Sequence, residues 1–424
     1  MKKYWLIVII SIFLIGCDSG NEPINNIPED DPRSDIFTPK VSKPLANPSS
    51  NPGTNGTILS NNIIAPGTLV TLSCSSPDAI IYYTIDGSNP TDNDNKYTLL
   101  TEIKIIKDTT LKAIAIKDDM LNSDILIVNY LVDDNIIIWK KVIQSPFGSG
   151  TGSIVYGNNV FVASSYYRIG YSFDGINWNS VINTTFGSTA IYGICYGNGK
   201  FIAYGDNGLM AYSNDGISWE PVPDSTVSKS ILSMSYGNNK FIASVWETAT
   251  IESDDGIIWK KMTYSIGMPN DIVYGNGKYV SVYDNGMIRY GNLNNNFTSV
   301  SDSRFDKYHI ESIAYGNGVY VAGGWYGRMA YSNDGIYWIQ VRDSAFQFFM
   351  NALVRDIVFA NGKFIAVGDY SNITVSEDGI TWNKSRFNIS GMDSDTTIIS
   401  ICYGNNMFVA ITQGGILLHS NYQE

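Results

Sequence analysis

From Ile136 to the end of the chain, apolar and polar positions alternate in short runs, and the whole pattern returns about every 40 residues. One unit reads as four strands: Ile231–Tyr236 (A), Lys240–Val245 (B), Thr250–Ser253 (C) and Ile257–Met262 (D). Two anchors set the count. The first is Tyr-Gly-Asn, starting at Tyr156, Tyr196, Tyr236, Tyr274, Tyr315 and Tyr403, with Phe359-Ala360-Asn361 as a variant. The second is Ser-x-Asp-Gly-Ile-x-Trp, ending at Trp178, Trp219, Trp259, Trp338 and Trp382, with Phe297 closing a degenerate copy. Four short antiparallel strands repeated seven times predict an all-β fold, a seven-bladed β-propeller over residues 135–424, because a ring of sheets buries both faces of each blade. The last unit stops where a D strand should begin. The missing strand lies before the first unit: Ile137-Ile138-Trp139-Lys140-Lys141 repeats Ile257-Ile258-Trp259-Lys260-Lys261 residue for residue. The segment 136–143 is therefore expected to complete the last blade and close the ring, removing two open sheet edges.

Upstream, residues 57–132 carry the period-2 alternation of a small β-sandwich, in Leu69–Cys74, Ile80–Ile85, Leu111–Ile116 and Ile125–Val128. Residues 17–56 are rich in Asn, Pro, Ser and Asp without a hydrophobic period and read as a disordered tether. At the start, Lys2 and Lys3 precede the apolar run Tyr4–Leu14, too short to span a bilayer comfortably, and then Leu14-Ile15-Gly16-Cys17. That pattern predicts an export signal over residues 1–16.

Three resemblances add expectations. Leu14-Ile15-Gly16-Cys17 resembles the bacterial lipobox, which implies lipidation of Cys17 and a membrane-anchored protein of the cell envelope. Ile81-Tyr82-Tyr83-Thr84-Ile85-Asp86-Gly87-Ser88-Asn89-Pro90-Thr91, followed by Thr110–Ala115, resembles the immunoglobulin-like domain at the C-terminus of chitobiase-type hexosaminidases, a non-catalytic accessory. The box ending in Trp resembles the Asp-box repeat of sialidase-type propellers, although it lacks the residue usually found between Asp and Gly. In that family the box is a peripheral C–D hairpin away from the active site. The chemistry of the residues says the same: Asp-Gly makes a tight hairpin, Asp caps backbone N–H groups and Trp packs into the core.

The A–B and C–D turns are short and nearly identical in every unit, whereas the B–C and D–A loops differ, so a binding site is expected on the end that carries the differing loops. Five residues beyond the aromatic that opens strand B stand Tyr166, Asp206, Trp246, Asp284, Trp325, Asp369 and Gln413. The next position adds Tyr167, Asn207, Glu247, Asn285, Tyr326, Tyr370 and Gly414. From these, Tyr166, Asp206, Trp246, Glu247, Asp284, Trp325, Tyr326 and Asp369 are the candidate ligand contacts: aromatics to stack on a sugar or peptide group, carboxylates to accept hydroxyl or N–H donors. Strand A is expected to line the channel with the small polar ring Ser153, Gly193, Ser233, Asp271, Ser312, Asp356 and Ser400.

Charge and composition narrow the function. The net charge of −12 and a scarcity of basic surface argue against nucleic acid, since phosphate binding needs cations. Two His and no metal-spaced cluster imply no cofactor and no metal site, and Asp92-Asn93-Asp94-Asn95 reads as a solvated turn in preference to a Ca²⁺ loop. Cys74, Cys195 and Cys402 read as buried apolar residues, with Cys195 and Cys402 in blades too far apart for a disulfide. The expectation is a monomeric envelope binding protein whose propeller recognises a glycan or protein ligand. The alternative is a glycoside hydrolase of the sialidase-like propeller type, using a carboxylate pair such as Asp206 with Asp284 or Asp271 with Asp356.

Overall fold

The computed structural model describes residues 39–47 and 62–420, apart from 65, 134–136, 138, 151, 224–226, 248, 264, 294–296, 345, 347–351 and 385–395. The expected export signal, Cys17 and the tether segments 17–38 and 48–56 lie outside the described residues.

The rest of the tether expectation is corrected. Leu45–Asn47 is a strand that pairs antiparallel with Thr68–Ser73, while Val41 and Ala46 are each 2% exposed in the sandwich core. Three strand residues amid Pro and Ser are too short a run to register as a period. The sandwich has a three-stranded sheet, completed by Ile103–Ile105, and a five-stranded one built around Ile80–Thr84, Thr109–Ile116 and Leu126–Val132. Alternate residues of each strand face one core containing Val70, Leu72, Ile81, Ile105, Leu111, Ala113 and Tyr130. The Asp92–Asn95 segment is a closed turn in which Asp94 accepts bonds from the Thr91 N–H at 2.7 Å and hydroxyl at 2.8 Å. No group of three His, Cys, Asp or Glu that could hold a metal occurs among the described residues.

Beyond Trp139 the described residues form seven four-stranded antiparallel sheets, a propeller. Inner strands such as Ile191–Gly197 and Ile231–Gly237 pack side by side, and Ile398–Gly404 packs against Ile154–Gly157 to complete the circle. The closing strand is Trp139–Lys141, antiparallel to Leu417–Ser420, with Trp139 opposite Ser420. It is shorter than the expected 136–143.

Two devices repeat around the ring. The first explains the glycine of Tyr-Gly-Asn. A Cβ at Gly157, Gly197, Gly237, Gly275, Gly316 or Gly404 would overlap the aromatic ring that opens the same motif in the next blade, ending with Gly404 under Tyr156. The missing side chain lets neighbouring blades close up. The second is the Ser-x-Asp-Gly-Ile-x-Trp hairpin. Asp174 Oδ1 accepts the Ile176 and Asn177 N–H groups at 2.9 and 2.7 Å, the Ser172 hydroxyl donates to the same oxygen at 2.9 Å, and the Trp178 indole donates to Gly175 O at 3.1 Å. Gly175 holds a φ of 71°, which suits glycine best. Burial raises the Asp174 pKa, but the bonds from Asn177 and Ile176 outweigh it and bring the carboxyl down to about 2. The same bonds recur at Asp215, Asp255, Asp334 and Asp378. In the closing blade no such hairpin exists, and the Trp139 indole N–H is buried without a partner.

Candidate functional site

The small polar ring of strand A laces the blades together. Ser153 Oγ accepts the Ile194 N–H of the next blade at 2.7 Å, and Asp271 Oδ2 accepts the Ile313 N–H at 2.9 Å. Ser312 Oγ likewise accepts from Ile357 at 3.1 Å, Asp356 Oδ2 from Ile401 at 2.8 Å and Ser400 Oγ from Ile154 at 3.3 Å. Gly193 has no side chain to offer, and Ser233 donates to Pro269 O at 3.0 Å. Asp271 and Asp356 are partly buried. Burial, opposed by the Ile313 bond and aided by the charge of Asp356, lifts Asp271 to about 7, and burial also raises Asp356. Burial and the nearby Asp271 charge push the Cys195 thiol up to about 12, and Cys402 is also raised by burial. Both thiols are free and belong to different core clusters.

On the end with differing loops, five of the seven B–C turns are pinned to the loop before strand A. The N–H groups of Asp206, Trp246, Trp325, Asp369 and Gln413 donate to Ala190, Ser230, His309, Leu353 and Thr397 carbonyls at 2.9–3.1 Å. This bond fixes where the following side chain projects.

The eight candidate residues then part into two groups. Asp206 and Asp369 are committed to the fold. Asp206 Oδ1 accepts the Tyr192 hydroxyl at 2.6 Å and the Ser230 hydroxyl at 2.7 Å, and these bonds, Tyr192 first, hold its pKa below the usual range. Asp369 Oδ1 meets Arg355 Nε at 3.0 Å and the Thr397 hydroxyl at 3.3 Å, while Oδ2 accepts the Leu353 N–H at 3.2 Å. Both carboxylates thus brace the loops that carry them. The aromatics stay out: Tyr166 is 43% exposed, Trp246 47%, Tyr326 44%, and the neighbouring Tyr370 38%.

Asp284 and Trp325 are brought together by a residue that the periodic reading left out of the site. The His309 ring stacks on Trp325 with centroids 4.1 Å apart and planes 14° apart, and its Nδ1 lies 3.1 Å from Asp284 Oδ1. Asn270 Nδ2 donates to the same oxygen at 2.7 Å, and the Trp325 indole N–H donates to Glu311 Oε1 at 3.1 Å. Beside them Tyr326 meets Tyr308 edge-on at 4.9 Å, and Arg328 lies over Tyr308 at 4.6 Å while bonding Asp306 at 2.9 Å. Trp246 and Glu247 stand one blade back, where the Glu247 N–H donates to Met268 Sδ at 3.3 Å. His309 directly precedes the strand Ile310–Gly316 of the fifth unit and Glu311 is that strand's second residue; a search of D–A loops, and not only B–C turns, would have found His309.

The backbone marks the same turns. Glu247, Tyr326 and Tyr370 hold φ of 58°, 60° and 56°, and Tyr166 holds 56°. Asn207 takes the same left-handed conformation in blade two with φ 57°, at lower cost because Asn tolerates it.

With this geometry in hand, comparison with known proteins places both parts of the chain. The family of chitobiase/β-hexosaminidase C-terminal domains matches residues 60–127. The immunoglobulin-like segment is similar to that family. No curated protein sequence matches the chain. Among solved structures, YCF48 bound to D1 peptide is similar with a TM-score of 0.54 and 15% identity, covering 66% of this chain and 96% of that one. YCF48 from Cyanidioschyzon merolae is similar with a TM-score of 0.51 and 15% identity, over 66% and 98%. The WD40 β-propeller domain of Doa1 reaches 0.52 with 11% identity, over 67% and 96%. At these identities the likeness is one of fold, and the chain is an all-β protein with a propeller and an immunoglobulin-like domain.

Proposed function

We propose that this chain is a lipid-anchored cell-envelope binding protein whose propeller presents the B–C and D–A loops to a carbohydrate or polypeptide ligand. The observation that carries the reading is the left-handed backbone at Glu247, Tyr326 and Tyr370. Each costs about 1–2 kcal/mol relative to a residue that prefers that region. Asn207 shows that the turn itself needs no large side chain. Exposed side chains kept at such positions are explained by contact with something outside the fold.

Binding suits the carboxylates better than hydrolysis does. A general acid must be held protonated, yet Asp206 is pulled toward its ionised form and Asp369 is paired with Arg355. Asp271 and Asp356 spend their oxygens on the lacing of blades. The similar YCF48 chain is described as bound to a peptide, which supports recognition by a propeller of this general form.

The test compares the wild-type chain with Trp246→Ala/Tyr326→Ala in glycan-array screening and in crosslinking to its own envelope. Both exposed side chains should be needed for the ligand the wild type selects, with the melting temperature unchanged. A ligand retained by the double variant sinks the reading. Anchoring is tested separately: Cys17→Ala should move the chain from the detergent to the aqueous phase in a partition assay, and persistence in the detergent phase contradicts it.

A further inference from the structure

The blades are not equal at their loop end. Every other unit carries a side chain of at least Asn size at the second B–C position, but the seventh carries Gly414. The turn it belongs to, Gln413-Gly414-Gly415, sits at the seam where the N-terminal strand closes the ring. It is held there by Gly150 N–H to Gln413 O at 2.9 Å and by the Ser145 hydroxyl to Gly415 O at 2.6 Å. The missing side chain leaves an open cleft of about 830 Å³ between blades seven and one. That lies within the roughly 300–1,000 Å³ of small-ligand sites.

The lining is chemically uniform. Ser149, Thr396 and Thr397 offer hydroxyls, Gln413 an amide and Tyr166 an aromatic face, and none of the described lining residues carries a charge at neutral pH. The Tyr166 ring is braced over Gly150, where an added Cβ would stand 3.1 Å from the Tyr166 Cβ, and lies edge-on to Tyr167 with ring centroids 4.1 Å apart. Its left-handed φ of 56° adds the strain already noted at the other loop-end aromatics. Two N–H groups of the turn are already paired: that of Gln413 goes to Thr397 O and that of Gly415 to Thr412 O.

These features select among ligand classes. An anionic group would meet no cation in the cleft and a protein of net charge −12 around it. An extended peptide would find the Gln413 and Gly415 N–H groups of the turn already paired. An uncharged sugar fits what remains, since its C–H face stacks on an aromatic ring while its hydroxyls both donate to and accept from amide and hydroxyl groups. Resting on the reading of this end as the binding face, we infer that the seam cleft is a subsite for an uncharged sugar residue of a glycan, with Tyr166 as the stacking platform and Gln413 as the hydroxyl reader.

Gly414 supplies a clean test. A Cβ there meets nothing closer than the Thr412 hydroxyl at 3.7 Å, and its backbone lies outside the left-handed region, so a large residue can be added without strain. The full chain is titrated by NMR with five uncharged trisaccharides, those of N-acetylglucosamine, mannose, galactose, β1,4-glucose and α1,4-glucose, and with trigalacturonate. At least one uncharged trisaccharide should bind and trigalacturonate should not. Gly414→Trp and Gln413→Ala should each weaken that binding at least tenfold at an unchanged melting temperature. If Gly414→Trp lowers the melting temperature, Tyr166→Leu reads the same subsite and should cost at least tenfold. The inference is overturned if no uncharged trisaccharide binds, if trigalacturonate binds as well, or if the variants bind like wild type. Loss of the envelope ligand in Trp246→Ala/Tyr326→Ala would still stand in that event, so the failure of the subsite is distinguishable from failure of the binding face.

Discussion

The two ends of the propeller are built from the same strands on opposite principles. At the A–B and C–D end, every polar group answers a need of the fold: box aspartates cap their own hairpins and the glycine of Tyr-Gly-Asn clears space for the next blade's ring. At the B–C and D–A end, five of the turns are anchored by a bond to the preceding loop, yet they carry Glu and Tyr residues in the left-handed region. Repetition therefore marks structure here, and departure from it marks the residues that the fold does not require. Left-handed Glu and Tyr residues with exposed side chains break a local rule, and such breaks gather at functional surfaces.

The largest test of this contrast is at the closing strand. A chain beginning at Pro146 loses Trp139–Lys141, the outer strand of the last sheet, and should lose cooperative unfolding by circular dichroism. A chain beginning at Asp134 should keep it. Next comes the repeated end itself. Trp219 is 7% exposed and bonded through its indole to Gly216 O, so Trp219→Ala should cost about 3–5 kcal/mol in denaturant unfolding. Gly404→Ala, which drives a methyl group into Tyr156, should cost about 1–3 kcal/mol by overpacking.

A smaller effect belongs to the channel. Asp271 is raised to about 7 in the folded chain from 3.8, so between those values the native state holds a proton that the unfolded chain releases. Its stabilising contribution is complete below about pH 4 and disappears as pH rises through 7. Asp271→Ser repeats the residue found at Ser153 and Ser312, keeping an acceptor for the Ile313 N–H. The wild type should therefore lose more stability than Asp271→Ser between pH 4 and 8 in thermal melts. Parallel curves would show that Asp271 does not hold the proton. Smallest of all should be Trp246→Ala, which removes an exposed ring and should change stability by less than about 0.5 kcal/mol.

Much of this architecture was legible before any coordinates. The duplicate of Ile257–Lys261 at Ile137–Lys141 announced the closing strand, because a residue-for-residue copy out of place has no other use. The box and the aromatic-Gly anchors gave the sheet order, since each repeats with fixed spacing. Two things stayed hidden for physical reasons. Leu45–Asn47 borrows its stability from Thr68–Ser73, so no pattern within it betrays a strand. The split of the candidate acids was hidden because their partners lie elsewhere in the chain: Tyr192 and Ser230 for Asp206, Arg355 and Thr397 for Asp369. Periodicity locates a position on a turn, but not whether its side chain finds a donor inside or outside the fold. His309 escaped for a related reason, because its role depends on Trp325 and Asp284 arriving from two blades.

The most direct measurement is a turn exchange at the loop end. Glu247, Tyr326 and Tyr370 are replaced together by Asn, the residue that blade two already uses at φ 57°. The thermal melt and the capture of the wild-type envelope ligand are then recorded on the same samples. Relief of backbone strain at three positions should raise the melting temperature by about 6–12 °C while ligand capture is lost. A melting temperature that falls, with the ligand still captured, would mean that these side chains serve the fold and that the two ends of the propeller do not differ in the way described.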